Sequence, residues 1–206
     1  MSRPQCPRCQ RPERLCLCPL IPRLDSRTRV LVLQHPSEAG HALNTARFAA
    51  LGLLKAELWV GEVFAELPAR LADPEVDARL LFPGEEAQVL PAGLVESLRP
   101  LLLVVPDGTW RKARKLLHLN PVLAALPRVT LPEGEPSRYR LRKAPGPGAL
   151  STLEAITRAL ELLEPATGFE ALLRPFEALI EGQISAMGAE TYQRNHAEAG
   201  PSATKP

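Results

Sequence analysis

Two groups of residues in this 206-residue chain have types and spacings that could do chemistry. The first is Cys6-x2-Cys9-x6-Cys16-x-Cys18, which uses all four cysteines of the sequence. Thiolates are soft ligands, and four of them suit a tetrahedral zinc ion. The first pair has the usual knuckle spacing, whereas Cys-x-Cys is tighter than the standard double knuckle. Metal binding would supply folding energy that a short, core-poor segment lacks. An iron–sulfur cluster or redox thiols are the alternatives, and nothing else in the sequence points to electron transfer. Cys6, Cys9, Cys16 and Cys18 are therefore read as ligands of a structural zinc.

The second group is Pro106-Asp107-Gly108-Thr109-Trp110. It follows Leu101-Leu102-Leu103-Val104-Val105, the clearest buried-strand run in the chain, which Pro106-Asp107-Gly108 is expected to break. In an open α/β sheet, ligands bind beyond the carboxyl ends of the strands. Asp107 stands there as a carboxylate, Gly108 permits a sharp turn and close approach, and Thr109 suits a helix cap. A helix from here to about Leu119 carries Arg111, Arg114, Lys115 and His118 on one face, three and four residues apart. The same residues also fit a plain strand–turn–helix connection, with Asp107 as a cap and Trp110 in the core.

The elements that must position these groups read as an α/β chain. Strands are expected at Arg29–Gln34, Ala56–Val60, Arg79–Phe82 and Arg128–Leu131. Helices are expected over about 41–53, 92–98, Ser151–Leu163 and 169–187, the last divided or kinked by Pro175. Residues 132–149 read as loop and 191–206 as a frayed tail. Strands alternating with helices imply a mostly parallel sheet. The expected division is a zinc-binding segment at 1–24, a catalytic domain at 25–190 and a flexible tail at 191–206.

Charge is unevenly spread. Residues 1–29, 107–120 and 137–143 hold 15 of the 25 basic residues but only 3 of the 23 acids. That clustering fits a polyanionic partner better than a uniformly solvated surface. Arg3, Arg8, Arg11 and Arg14 surround the cysteines and are suited to phosphates. No apolar run approaches a membrane span, and no apolar signal-peptide core follows Met1. A cytoplasmic protein is expected, where clustered cysteines argue for metal over disulfides.

Several motifs, in order, resemble the DTW-domain family. They are the Asp107–Trp110 segment with Ala113-Arg114-Lys115; Gln34-His35-Pro36-Ser37-Glu38; Asn44-Thr45-Ala46-Arg47; Tyr139-Arg140-Leu141-Arg142-Lys143; and Leu150-Ser151-Thr152-Leu153-Glu154-Ala155. The cysteine cluster matches the family's N-terminal metal motif, and the likeness extends to about residue 190. The resemblance implies a SPOUT-like, knotted core and a tRNA-uridine aminocarboxypropyltransferase. Such enzymes move the 3-amino-3-carboxypropyl group of S-adenosylmethionine to N3 of a tRNA uridine and release methylthioadenosine.

On that reading Asp107 is the catalytic residue, accepting the uridine proton or holding the base while water does. The cofactor pocket would be formed by Phe82, Pro83, Pro106, Gly108, Thr109, Trp110, Leu150, Ser151, Thr152 and Glu154. Ser151 with Glu154 also has the spacing of a capping box. Arg111, Arg114, Lys115, Arg138, Arg140, Arg142 and Lys143 would meet the tRNA backbone. His35 and Asn44 are candidate polar pocket residues, although a lone loop His is more often structural. Tyr139 suits either base stacking or core packing. The competing readings are a SPOUT-type RNA methyltransferase, which would release S-adenosylhomocysteine, and a non-catalytic zinc-dependent RNA-binding module.

Overall fold

A computed structural model describes residues 4–93, 99–134, 136–139, 141 and 149–196. Six strands, β1 (Arg29–Gln34), β2 (Ala56–Val60), β3 (Asp77–Leu81), β4 (Gln88–Val89), β5 (Leu101–Asp107) and β6 (Arg128–Thr130), form one sheet in the order β2-β1-β5-β3-β6-β4. Each described pairing is parallel. The helices are α1 (Pro36–Ala39), α2 (Ala46–Gly52), α3 (Leu67–Leu71), α4 (Trp110–Leu119), α5 (Pro121–Ala124), α6 (Thr152–Leu163), α7 (Arg174–Met187) and α8 (Ala189–His196). Among the described residues, no helix is long and apolar enough to cross a membrane.

The central strands are apolar on both faces because both faces are covered. Val30, Val32, Leu103 and Val105 pack with α2, α6 and α7 in one core. Leu31, Leu33, Leu102 and Val104 pack with α3, α4 and α5 in the other. β1 and β5 lie side by side at the middle, with Gln34 opposite Asp107 at their carboxyl ends.

The structure corrects one expected boundary that matters to the site. β5 does not break at Pro106 but runs to Asp107. Its pairing with β3 ends at Leu80 opposite Val104, while its pairing with β1 continues through Leu33 opposite Pro106. Beyond Val104 it is a local edge on the β3 side, where a missing N–H is tolerated. The helix expected from 41 starts only at Ala46, because residues 41–45 form turns closed by Asn44 N donating to His41 O. Pro175 sits in the first turn of α7, after a 3-10 turn at Phe169–Leu173, where its lack of a donor is harmless. The last helix continues to His196, past the expected boundary at 190. The helix expected at 92–98 falls mostly outside the described residues, as do Arg140, Arg142, Lys143 and residues 197–206.

The cysteine segment is docked on the main body. Cys9 and Ile21 are buried in the same core as α2 and α6. Arg11 Nη1 donates to Ala42 O at 2.9 Å, and Leu24 N donates to Gly52 O at 2.8 Å. Gly52 leaves no room for a side chain: a Cβ there would meet Leu172 Cδ2 at 2.6 Å. Gly52→Ala should therefore destabilise the fold by roughly 1–3 kcal/mol through overpacking, partly offset by the ~1 kcal/mol helix preference of Ala over Gly. Thermal unfolding checks this. The expected result is a lower Tm, and a Tm at or above wild type would contradict the packing described.

Candidate active site

Asp107 is 6% exposed and closes β5 at the sheet's carboxyl edge. Its Oδ2 accepts from Gln34 Nε2 at 2.8 Å and from Asn44 Nδ2 at 3.1 Å. Its Oδ1 accepts from Thr152 Oγ1 at 2.5 Å. An ionised carboxylate has about four acceptor positions. Among the described residues, three are filled by protein donors, which leaves one on Oδ1. Gln34 reaches Asp107 because parallel register places the ends of β1 and β5 opposite each other. Asn44 comes from the turn before α2, and Thr152 is the first residue of α6.

Two helices begin beside this carboxylate, each with a capped end. Thr109 caps α4, its side chain accepting from Lys112 N at 3.4 Å. Ser151 caps α6 in a full capping box with Glu154. Free N–H groups and the helix dipole make both ends favourable to negative charge. Gly108 links β5 to α4 at φ +155°, and a Cβ there would lie 3.0 Å from Lys112 Cβ.

A cleft of about 820 Å³ opens over Asp107. Phe82, Pro83, Pro106, Gly108, Thr109, Trp110, Leu150, Ser151 and Thr152 all line it. Trp110 is 41% exposed rather than buried in the core, and its ring stands edge-on to Phe82 with centroids 5.6 Å apart. Glu154 lies behind the wall, not in it. Its carboxylate accepts from Arg138 N at 2.7 Å, Ser151 N at 2.8 Å and Ser137 Oγ at 2.8 Å. Glu154 thus ties the segment at 137–138 to the start of α6.

The expected basic residues divide. Arg111 and Arg114 are exposed on α4. Lys115 pairs with Glu62 at 2.7 Å. That contact, more than the neighbouring His35, holds the Glu62 carboxyl below its ordinary value against a smaller opposing effect of burial. Arg138 bridges Glu170 at 2.8 Å and Glu177 at 2.9 Å. His35 is tied into the scaffold: its Nδ1 accepts from Ser37 N at 3.3 Å, and its Nε2 lies 2.8 Å from Glu62 Oε1. Tyr139 packs edge-on to Phe176, and its hydroxyl donates to Leu43 O at 3.2 Å. Sequence reasoning assigned Gln34 no role at the carboxylate. The available signals were a polar residue closing an otherwise apolar run and its place at the head of the Gln34–Glu38 motif.

The four cysteine sulfurs all lie within 4.8 Å of one another, with Cys6–Cys18 at 3.6 Å and Cys9–Cys16 at 3.8 Å. Zinc–sulfur bonds of about 2.3 Å place tetrahedral sulfurs roughly 3.8 Å apart, so the donor set fits zinc. Backbone N–H groups of Cys9 and Arg8 lower the Cys6 thiol to about 6. Burial, then the neighbouring thiols, push Cys18 up to about 12. Thiols this crowded do not ionise together without a cation among them.

A parallel α/β sheet with an anchored carboxylate and a cleft at its carboxyl edge is the arrangement in which open α/β domains hold their ligands, and this chain adds a four-thiol cluster that could hold a metal ion. The sequence matches the DTW domain over residues 3–184, and the chain belongs to that family. It is similar to tRNA-uridine aminocarboxypropyltransferase 2 of Macaca fascicularis, 34% identical over 195 residues, 88% of this chain and 64% of the relative. The protein of the same name from Mus musculus is 34% identical over 191 residues, with the same coverage. That from Drosophila melanogaster is 33% identical over 193 residues, 88% of this chain and 76% of the relative. The chain thus spans a little under two thirds of the two mammalian relatives. No solved structure matches it.

The thiol geometry predicts one zinc ion per chain, lost with a single ligand. Metal analysis of purified protein should give about one zinc for wild type and little for Cys18→Ser, with a lower Tm for the variant. Full retention of metal by Cys18→Ser would rule out the four-thiolate site.

Proposed function

We propose that this chain is a tRNA-uridine aminocarboxypropyltransferase. It moves the 3-amino-3-carboxypropyl group of S-adenosylmethionine to N3 of a tRNA uridine. The observation that carries this reading is the Asp107 carboxylate, held by Gln34, Asn44 and Thr152 with one acceptor position left on Oδ1 beneath the cleft. The names of the relatives agree with it.

The N3–H of uridine donates to Oδ1, which takes the proton as the N3–C bond forms. The C–S bond breaks in the same step, its electrons neutralise the sulfonium, and methylthioadenosine leaves. The proton then passes to solvent. The leaving group is already activated, so the protein's principal task is alignment. Three donors from separate elements fix the carboxylate in one orientation, which serves that task. The donor's adenosyl part occupies the cleft between Phe82–Pro83, Pro106–Trp110 and Leu150–Thr152, with Trp110 and Phe82 as its aromatic wall.

The tRNA backbone meets Arg111 and Arg114 first, and Lys115, Arg138, Arg140, Arg142 and Lys143 supply further cations to it. Lys115 and Arg138 exchange acidic partners for phosphates. Exposed Arg8 and Arg14 extend the surface to the cysteine segment, where zinc is structural. In this reading residues 1–24 are the metal segment, 25–190 a SPOUT-like, knotted catalytic domain and 191–206 a tail. The cytoplasm supplies the tRNA and keeps the thiols reduced.

Incubation of the chain with unmodified tRNA and S-adenosylmethionine tests this through the small-molecule product. Methylthioadenosine is the expected product, in step with a uridine gaining the aminocarboxypropyl mass. S-adenosylhomocysteine with a methylated uridine, or unaltered RNA, would overturn the proposal.

A further inference from the structure

The cleft holds a second charged feature, one that the transfer step does not use. Lys112 Nζ and Glu38 Oε1 lie 2.6 Å apart, their side chains only 25% and 17% exposed, and both residues line the cleft. Lys112 sits in the first turn of α4 beside Arg111, a turn with no acidic residue. Cations at a helix N-terminus oppose the dipole, so helix stability does not account for Lys112. Its stem is packed on Gly108, where a Cβ would lie 3.0 Å from Lys112 Cβ. The ion pair is therefore anchored one residue from Asp107.

We infer that Glu38 and Lys112 form a subsite for an α-amino-acid zwitterion, Glu38 accepting from the α-ammonium and Lys112 donating to the α-carboxylate. This rests on the donor proposed above, whose transferred group carries both charges. The pair is complementary to such a group in sign and spacing. Binding replaces one ion pair with two, without leaving an unpaired charge in a part-buried place. Other titratable residues line the cleft, namely Asp107, His41, Glu133 and Arg158. Asp107 has three of its positions filled, and the Arg158 guanidinium lies against Gly134, where a Cβ would meet its Nη2 at 2.7 Å. The reacting carbon is two C–C bonds from the α-carbon, roughly 2.5 Å. The zwitterion must then sit close to Asp107, as the pair over Gly108 does. Fixing both charges would present the propyl carbon, and not the methyl, to the uridine. The subsite thus selects which substituent of the sulfonium is transferred.

Calorimetric binding of S-adenosylmethionine and of methylthioadenosine, which lacks the amino-acid end, tests this on the zinc-loaded chain. Lys112→Met and Glu38→Gln should each weaken S-adenosylmethionine by about tenfold or more, while methylthioadenosine is bound within about twofold of wild type. The exchange variant Glu38→Lys with Lys112→Glu retains the ion pair, and should keep a Tm near wild type with the same selective loss. Unchanged binding of S-adenosylmethionine by these variants, or an equal loss of both compounds by the exchange variant, would overturn the subsite. A wild type that binds neither compound would overturn the donor reading, and the subsite with it.

Discussion

The buried carboxylate of Asp107 is the constraint on which the site depends. Placing an ionised group at 6% exposure is costly unless donors surround it, and here three elements each send one. Gln34 comes from the adjacent strand, Asn44 from the turn before α2 and Thr152 from the start of α6. Each contact fixes a piece of chain far away in sequence. The register of β1 on β5, the late start of α2 and the placement of α6 all converge on one pair of oxygens. A shift of one residue between β1 and β5 would turn Gln34 to the other face and leave Oδ2 short of a donor.

Around that point, caps and clamps do the positioning. Thr109 and Ser151 start α4 and α6 at the rim of the cleft, and Glu154 joins the second of these starts to the backbone of Arg138. The wall of the cleft and the backbone at Ser137 and Arg138 are thus held by one buried carboxylate. The cysteine segment is fastened separately, through Arg11, Leu24 and the packing of Cys9 and Ile21.

Much of this was legible in the sequence where local pattern decides. The apolar runs marked β1 and β2 to the residue, and the capping box at Ser151 and Glu154 follows from spacing alone. The cysteine spacing anticipated a four-thiol cluster that the structure brings together. Local pattern failed where tertiary context overrides it. Pro106 reads as a strand breaker, yet β5 continues because β3 has already ended. Trp110 fits a core stripe on α4, yet it lines the cleft against Phe82. The partners Gln34, Asn44 and Thr152, and the pair Glu38–Lys112, are joined across 45 to 74 residues of sequence, which no periodicity reveals. Motif resemblance located Asp107, and the three-dimensional arrangement explains how it is held.

The proposed transfer depends on Asp107 receiving the uridine proton. Its most direct measurement is single-turnover transfer by Asp107→Ala, read by nucleoside mass spectrometry beside a tRNA-binding assay on the same protein. Formation of modified uridine should fall by roughly 10²-fold or more while tRNA is bound nearly as well as by wild type. Modified uridine formed at close to the wild-type rate would contradict the central claim.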